Sequence, residues 1–142
     1  ENPLTGVGAN CFPMALGYLR QDLSLIPRWQ AAHNSYIQII TETGLIGFIL
    51  FLSLILSSLK SFLRVKNLKV ITKESSELKT IAGLLYLGFI AHLITAFFLS
   101  QGYSMFFTLF FAFSAVLNNL SLNMEEGLKV ENENYLRSYK PI

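Results

Sequence analysis

Three apolar runs divide the chain, at residues 36–59, 81–100 and 105–120. As a helix rising roughly 1.5 Å per residue, the first run reaches about 36 Å, which exceeds the ~30 Å hydrocarbon core of a bilayer. Backbone polar groups in hydrocarbon must be bonded within the protein, and the alternating polarity of a barrel strand is missing from these runs. The sequence therefore predicts an all-α fold, a polytopic membrane protein fragment with three transmembrane helices behind an extracytoplasmic loop.

Composition supports a lipid-facing chain and excludes other classes. Hydrophobic residues make up 52% of the 142 residues and the mean hydropathy is +0.46, more than a small soluble core can bury. The net charge of only +2 argues against nucleic acid as a partner. The single Cys11 offers no disulfide, metal or redox pair. We expect no metal and no cofactor, and the absence of an initial Met predicts further N-terminal spans in a parent protein.

Charge asymmetry predicts the orientation. The connector 60–80 holds six Lys or Arg residues against two Glu residues, so the positive-inside rule places it in the cytoplasm. Residues 1–35 and the uncharged turn 101–104 then lie outside. The polar tail 121–142, of mixed charge, is predicted to be cytoplasmic and disordered.

Polar residues precede the first predicted span. Ser35 and Gln38 have the spacing of a capping box, which predicts a helix beginning at Tyr36 with His33 and Asn34 in the loop ahead of it. An imidazole titrates close to neutral pH, so His33 could take a proton from a hydroxyl as a general base. The alternative is that His33 only caps the helix or bonds to the loop.

The first turns of this helix carry a polar face. Ser35, Gln38 and Glu42 fall at i, i+3 and i+7. A carboxylate facing lipid is costly, so Glu42 is expected to face the protein interior or a watery cavity. Gly44 and Gly47 are expected to let another helix approach closely.

His92 interrupts the second run. A histidine within a membrane segment is a functional hypothesis by default, but a neutral imidazole hydrogen-bonded to another helix is an equally simple explanation.

Two motifs in order resemble the O-antigen ligase and polymerase family of bacterial membrane glycosyltransferases. The first is a Pro-x-x-Gly-x-Gly turn in "NPLTGVGANCF", at Pro3, Gly6 and Gly8. The second is His33–Asn34 in "AHNSYIQIITETGLIGF", at the mouth of a helix that continues Glu-x-Gly-x-x-Gly. A span, a basic loop and a closing hairpin follow, so the resemblance covers roughly residues 2–120.

The resemblance implies a multi-pass enzyme of the bacterial inner membrane. Such enzymes pass a glycan from an undecaprenyl-diphosphate donor to an acceptor hydroxyl, on lipid A core or on another glycan, without metal or nucleotide. His33 matches the family histidine proposed to activate the acceptor. Arginines of the same loop are thought to hold the diphosphate. The outer arginines here are Arg28 and Arg20, and each could either bind the diphosphate or be only a solvated loop charge. The predicted substrate-binding residues are these two arginines with Asn34, Gln38 and Glu42.

Other functions stay open on the residues alone. An O-antigen or exopolysaccharide polymerase of the same family shares these motifs with a ligase. A transporter fragment would use His92, Glu42 and His33 as a polar path, but no Asp, Lys or Arg interrupts the spans. A purely structural membrane anchor would leave both motifs unexplained.

Overall fold

A computed structural model describes the backbone of residues 2–69 and 72–138, and the side chains through residue 130. Two residues of the basic connector, 70 and 71, and the last part of the predicted tail, 139–142, lie outside the described residues. The described chain is all helical and contains no strand, which confirms the all-α prediction. The helices are α1 (Phe12–Asp22), α2 (Ser35–Lys66), α3 (Lys73–Thr95) and α4 (Met105–Ser138).

Helices α2, α3 and α4 pack against one another as a bundle. The Tyr36 hydroxyl at the start of α2 donates to the Leu93 carbonyl near the end of α3 at 2.9 Å, so these two helices are antiparallel. Arg64 near the end of α2 pairs with Glu125 of α4 at 3.0 Å, so α2 and α4 run in the same direction. We call the two ends of the bundle the His33 end and the basic end, the latter holding Arg64 and the start of α3.

The core of the bundle is aromatic. Phe51 contacts Phe107 with ring centroids 5.0 Å apart, and Phe62 contacts Phe89 at 6.0 Å, both pairs edge to face. Phe62 and Phe89 are fully buried. Such pairs add specific geometry to the burial of large apolar surface, and they fix how the three helices face each other.

Within the described residues, three helices are long and apolar enough to cross a membrane. They are Ser35–Lys66, Lys73–Thr95 and the Met105–Val130 part of α4. Only 11% of the most apolar window of α3 is buried within the bundle. The remaining apolar surface would be costly in water, so a multi-pass membrane protein is the architecture that these helices support.

The helix ends differ from the predicted limits of the spans. Because α2 continues to Lys66 and α3 begins at Lys73, most of the basic connector 60–80 is helical. The Thr72 side chain caps α3 in a capping box with Ser75, which explains the abrupt restart of helix after the loop. At the other end α3 stops at Thr95, so the predicted turn 101–104 is part of a longer connection, 96–104, which we call the hairpin turn.

The tail also differs from its prediction. The composition of residues 121–142 predicts a disordered segment, but α4 continues as helix to Ser138. Ser121 is buried, and the Arg64–Glu125 ion pair ties this extension to the end of α2. These contacts hold the extension against the bundle. Composition alone shows only a polar segment of mixed charge.

Candidate active site

Helix α2 is broken at Gly44, which has φ 67° and ψ −170°. This conformation divides α2 into a first part, 35–43, and a longer part, 45–66. A break exposes backbone donors and acceptors that water cannot satisfy at membrane depth, so they need partners in the protein. The sequence suggested close helix packing at Gly44, whereas the structure places an irregular segment there.

The Pro3–Gly8 turn supplies those partners. The Leu45 N–H donates to the Pro3 carbonyl at 2.9 Å, and the Ile46 N–H donates to Leu4 at 3.4 Å. In the other direction, the Val7 N–H donates to the Thr41 carbonyl at 3.0 Å and the Gly8 N–H donates to the Glu42 carbonyl at 2.9 Å. The turn therefore replaces the hydrogen bonds that an unbroken helix would make.

Two glycines make this approach possible. Gly6 and Gly44 both have positive φ, 71° and 67°, which glycine adopts without strain. A Cβ on Gly6 would overlap the Glu42 carbonyl, and a Cβ on Gly44 would overlap the Leu4 carbonyl group. The glycines of the two sequence motifs thus meet at one point. At Gly47, an added Cβ would instead overlap the side chain of Thr43, one turn earlier in its own helix.

Glu42 joins the break to α1. Its side chain is 1% exposed, and its two oxygens accept the N–H groups of Asn10 at 3.0 Å and Phe12 at 3.1 Å. These donors lie at the N-terminus of α1, where the N-cap Cys11 makes no side-chain cap and the helix dipole favours a negative charge. The expectation that Glu42 faces the protein interior is confirmed, with both oxygens bonded to backbone.

Tyr103 of the hairpin turn also reaches Glu42. Burial raises the pKa of the Tyr103 phenol to about 12, aided by its side-chain hydrogen bond to Glu42 and by the negative charge of that carboxylate. Glu42 thereby links three segments: α1, the broken helix and the hairpin turn. Sequence reasoning did not single out Tyr103, because nothing in "QGYS" distinguishes it from an ordinary turn residue.

His33 lies at the entrance to α2. Its side chain is exposed, and its backbone has φ 49°, a left-handed conformation that is uncommon outside glycine. The next residue, Asn34, is the N-cap: its Oδ1 accepts the N–H groups of Tyr36 at 2.9 Å and Ile37 at 3.0 Å. The predicted capping box of Ser35 with Gln38 is therefore wrong, and the helix begins at Ser35 behind an asparagine cap.

The hairpin turn holds the start of α2 through Ser35. The Ser35 hydroxyl donates to the Leu99 carbonyl at 2.6 Å and accepts the Gln101 N–H at 2.9 Å, and the Ser35 N–H donates to the Ala96 carbonyl at 2.8 Å. Gln38 adds a weaker contact, its Oε1 accepting the Gly102 N–H at 3.4 Å. Because the Ser35 hydroxyl bonds to the hairpin turn, it does not cap α2.

The two predicted arginines lie on α1 and the loop after it. Arg20 is in the last turn of α1, and its Nε donates to the Ile26 carbonyl at 2.8 Å, which folds the loop back on the helix. Arg28 is exposed. Its neighbour Trp29 lies on Gly17 and meets Tyr18 edge to face at 5.4 Å. Within the described residues, no hydrogen bond or ion pair joins either arginine to His33.

An apolar cavity of about 720 Å³ lies between the Pro3–Gly8 turn, α1 and the first part of α2. Phe12, Leu16 and Leu19 line it from α1, and Ile40 and Thr41 line it from α2. Asn2 and Asp22 also line it, so the mostly apolar cavity has polar groups at its edge.

His92 lies in the last turn of α3, at the His33 end of the bundle. Its ring packs among three phenylalanines of α4, with centroids 4.5 Å from Phe107, 5.7 Å from Phe110 and 5.8 Å from Phe106. In the described part of the chain its Nε2 has no hydrogen-bond partner, so this nitrogen does not make the expected bond to another helix. Among the same residues, no group of three or more His, Cys, Asp or Glu could hold a metal ion.

Comparison with known families finds a match that covers both sequence motifs. Residues 1–52 match the family model described as O-Antigen ligase. The match spans the Pro3–Gly8 turn, α1, His33 and the break at Gly44, and it confirms the family resemblance over that segment. No curated protein and no solved structure matches the chain significantly.

Proposed function

We propose that this chain is the histidine-bearing part of an O-antigen ligase-like glycosyltransferase, whose residues 1–52 match that family. One observation carries the proposal. The Pro3–Gly8 turn and the helix that follows His33 form a single hydrogen-bonded unit, joined by four backbone bonds around Gly44. A fragment that served only as an anchor would not need this broken helix and its paired glycines.

The His33 end is proposed to be extracytoplasmic, at the outer face of the inner membrane. Lys60, Arg64, Lys66 and Lys73 all lie toward the opposite end of α2 and α3, in agreement with the positive-inside rule. His33 is exposed and stands just ahead of a membrane-length helix, where a lipid-linked donor and a water-soluble or lipid-borne acceptor can meet.

His33 is proposed to act as the general base. Its imidazole accepts the proton of the acceptor hydroxyl as that oxygen forms a bond to the anomeric carbon of the donor sugar. The bond from that carbon to the diphosphate oxygen breaks, and undecaprenyl diphosphate leaves with the electron pair. A single displacement of this kind inverts the anomeric configuration, and it needs neither metal nor nucleotide.

Arg20 and Arg28 are proposed to neutralise the departing diphosphate. The only described bond of the Arg20 guanidinium uses Nε, and Arg28 is exposed, so both forks can present parallel N–H groups to phosphate oxygens. The neighbouring apolar cavity of about 720 Å³ suits part of an isoprenoid chain. Together these features fit a ligand with a charged head and an apolar tail.

Asn34 and Gln38 are proposed to bind substrate through their amide N–H groups. In each case the amide oxygen is engaged, with the helix N-cap for Asn34 and with the Gly102 N–H for Gln38. The amide nitrogens have no bond among the described residues, so they are free to donate to sugar hydroxyl or phosphate oxygens. Glu42, with both oxygens bonded to backbone, contributes by holding α1 in place.

A polymerase of the same family, with a growing glycan as acceptor in place of lipid A core, is the alternative. The contacts of His92 and Glu42 do not support the transporter alternative. His92 is packed among phenylalanine rings and Glu42 is bonded to backbone, so they do not form a polar path with His33.

The test replaces His33 in the full-length protein. His33→Ala, expressed at the wild-type level in a deletion strain, should abolish the surface glycan ladder while undecaprenyl-linked glycan accumulates. His92→Phe is the matched control, because it removes a histidine from the same end of the bundle while keeping a ring in the aromatic cluster, and it should retain the ladder. An unchanged ladder with His33→Ala would refute the proposed function.

A further inference from the structure

The conformation of His33 needs support from its surroundings. A non-glycine residue with φ 49° is strained, and such residues persist where neighbouring structure determines the backbone. Asn34 fixes the chain on one side, because it adopts an extended conformation and caps α2 through its side chain. The support on the other side comes from a distant part of the sequence.

That support is Ser100. The His33 N–H donates to the Ser100 Oγ at 2.7 Å, across 67 positions of sequence. Ser100 belongs to the hairpin turn, and its neighbours Leu99 and Gln101 are both bonded to the Ser35 hydroxyl. The turn that holds the strained residue is thus itself fixed to the first residue of α2.

We propose that Ser100 is a positioning residue for His33, acting through its hydroxyl on the His33 backbone. This inference rests on the proposed function, and it extends the site to the hairpin turn, which lies outside the matched residues 1–52. A general base must come within roughly 2.6–3.2 Å of the proton it removes, so a change in the His33 backbone displaces the imidazole from the acceptor hydroxyl. Misplacement by about 1 Å can cost on the order of 100-fold in rate.

The position of Ser100 favours this role over a general contribution to folding. The bundle is held by the buried phenylalanine contacts and the Ser58–Ser114 hydroxyl bond at 2.9 Å, all of which lie deeper in the helices. The His33–Ser100 bond is at an exposed site. Its loss should therefore change the loop before α2 more than it changes the bundle.

The experiment measures glycan transfer by the purified full-length protein, with undecaprenyl-diphosphate-linked O-antigen as donor. Ser100→Ala should lower kcat by roughly 10- to 100-fold while the KM for the donor stays close to wild type. Ser100→Thr keeps a hydroxyl at the same position and should restore most of the rate. Ser53→Ala is the matched control, because among the described residues the Ser53 hydroxyl bonds only to its own helix, and this variant should transfer glycan at the wild-type rate.

The outcomes separate this inference from the proposed function. Ser100→Ala at the wild-type kcat, with His33→Ala inactive, would overturn the positioning role and leave the function standing. An active His33→Ala would remove the base and the positioning role together. If Ser100→Ala loses activity only in proportion to a loss of folded protein, or if Ser100→Thr fails to recover the rate, the hydroxyl is not positioning His33 and the inference is wrong.

Discussion

The carboxylate of Glu42 accepts the N–H of Phe12, 30 residues earlier in the chain, at 3.1 Å. This bond is the junction between a helix that crosses the membrane and a helix that carries a predicted diphosphate-binding arginine. The side chain is a buried carboxyl group, so the junction depends on its backbone donors and on the N-terminus of α1.

Glu42→Gln should destabilise the protein. The amide keeps the shape of the side chain but places an NH₂ group against a backbone N–H, and it removes the charge that favours the N-terminus of α1. Hydrogen bonds to charged groups contribute about 1.5–3 kcal/mol, so we expect a loss of that order. The measurement is thermal unfolding of the protein in detergent. Glu77→Gln, at an exposed i,i+4 pair with Lys73, should lower stability by less than about 0.5 kcal/mol.

Because the pKa of Tyr103 is raised, the protein should lose stability in alkaline solution. Its pKa is about 12 in the folded protein against 10.0 for an unperturbed tyrosine, so the unfolded state releases its proton first. The contribution of this group is complete below pH 10 and is lost as the pH rises toward 12. The difference in absorbance at alkaline pH between wild type and Tyr103→Phe should titrate near 12. A difference centred near pH 10 would show that neither the burial of the phenol nor the contact with Glu42 raises its pKa.

Gly44→Ala should prevent the turn from docking. Alanine is strained at φ 67°, and its Cβ would overlap the Leu4 carbonyl group. Strain alone costs about 1–3 kcal/mol, and the overlap adds to it. Limited proteolysis should then cut between the Pro3–Gly8 turn and α2 faster than in wild type. Gly83→Ala is the control: its Cβ meets nothing within 4 Å, so its cleavage rate should match wild type.

Replacement of either Arg20 or Arg28 should weaken binding of the diphosphate donor. Arg28→Ala and Arg20→Ala should each raise the KM for the diphosphate donor by roughly 10-fold, since each removes charge-assisted bonds. Replacement by Lys should recover only part of this loss, because an ammonium cannot make the parallel pair of bonds. Lys66→Ala, at the basic end, is the control and should leave the KM unchanged. An equal rise in KM for Arg28→Ala, Arg20→Ala and Lys66→Ala would refute the proposed role of the arginines.

The sequence predicted the helices better than their connections. Long uncharged runs leave few choices in a membrane, so the three spans and the class of fold followed from hydropathy alone. The sequence pattern puts the N-cap at Ser35, one residue late. Asn34 and Ser35 are both good caps, but the Ser35 hydroxyl bonds to the hairpin turn, so Asn34 caps α2.

The break at Gly44 could not be read from local pattern. Gly44 lies within an apolar run, where a glycine is also compatible with close helix packing. What decides its conformation is a turn some forty residues earlier, whose backbone takes the helix's hydrogen bonds. Ser100 and Tyr103 were missed for the same reason. A lone serine or tyrosine in a turn carries no signal until its distant partner is known.

The break in α2 is braced by the Pro3–Gly8 turn, so it couples the site to the tilt of the span. Transmembrane helices tilt to match the thickness of the bilayer around them. Residues on both sides of Gly44 are bonded to the Pro3–Gly8 turn, Thr41 and Glu42 before the break and Leu45 and Ile46 after it. A change in the tilt of the span therefore carries the start of α2 with it, and on the proposed function we expect glycan transfer to differ between thin and thick membranes.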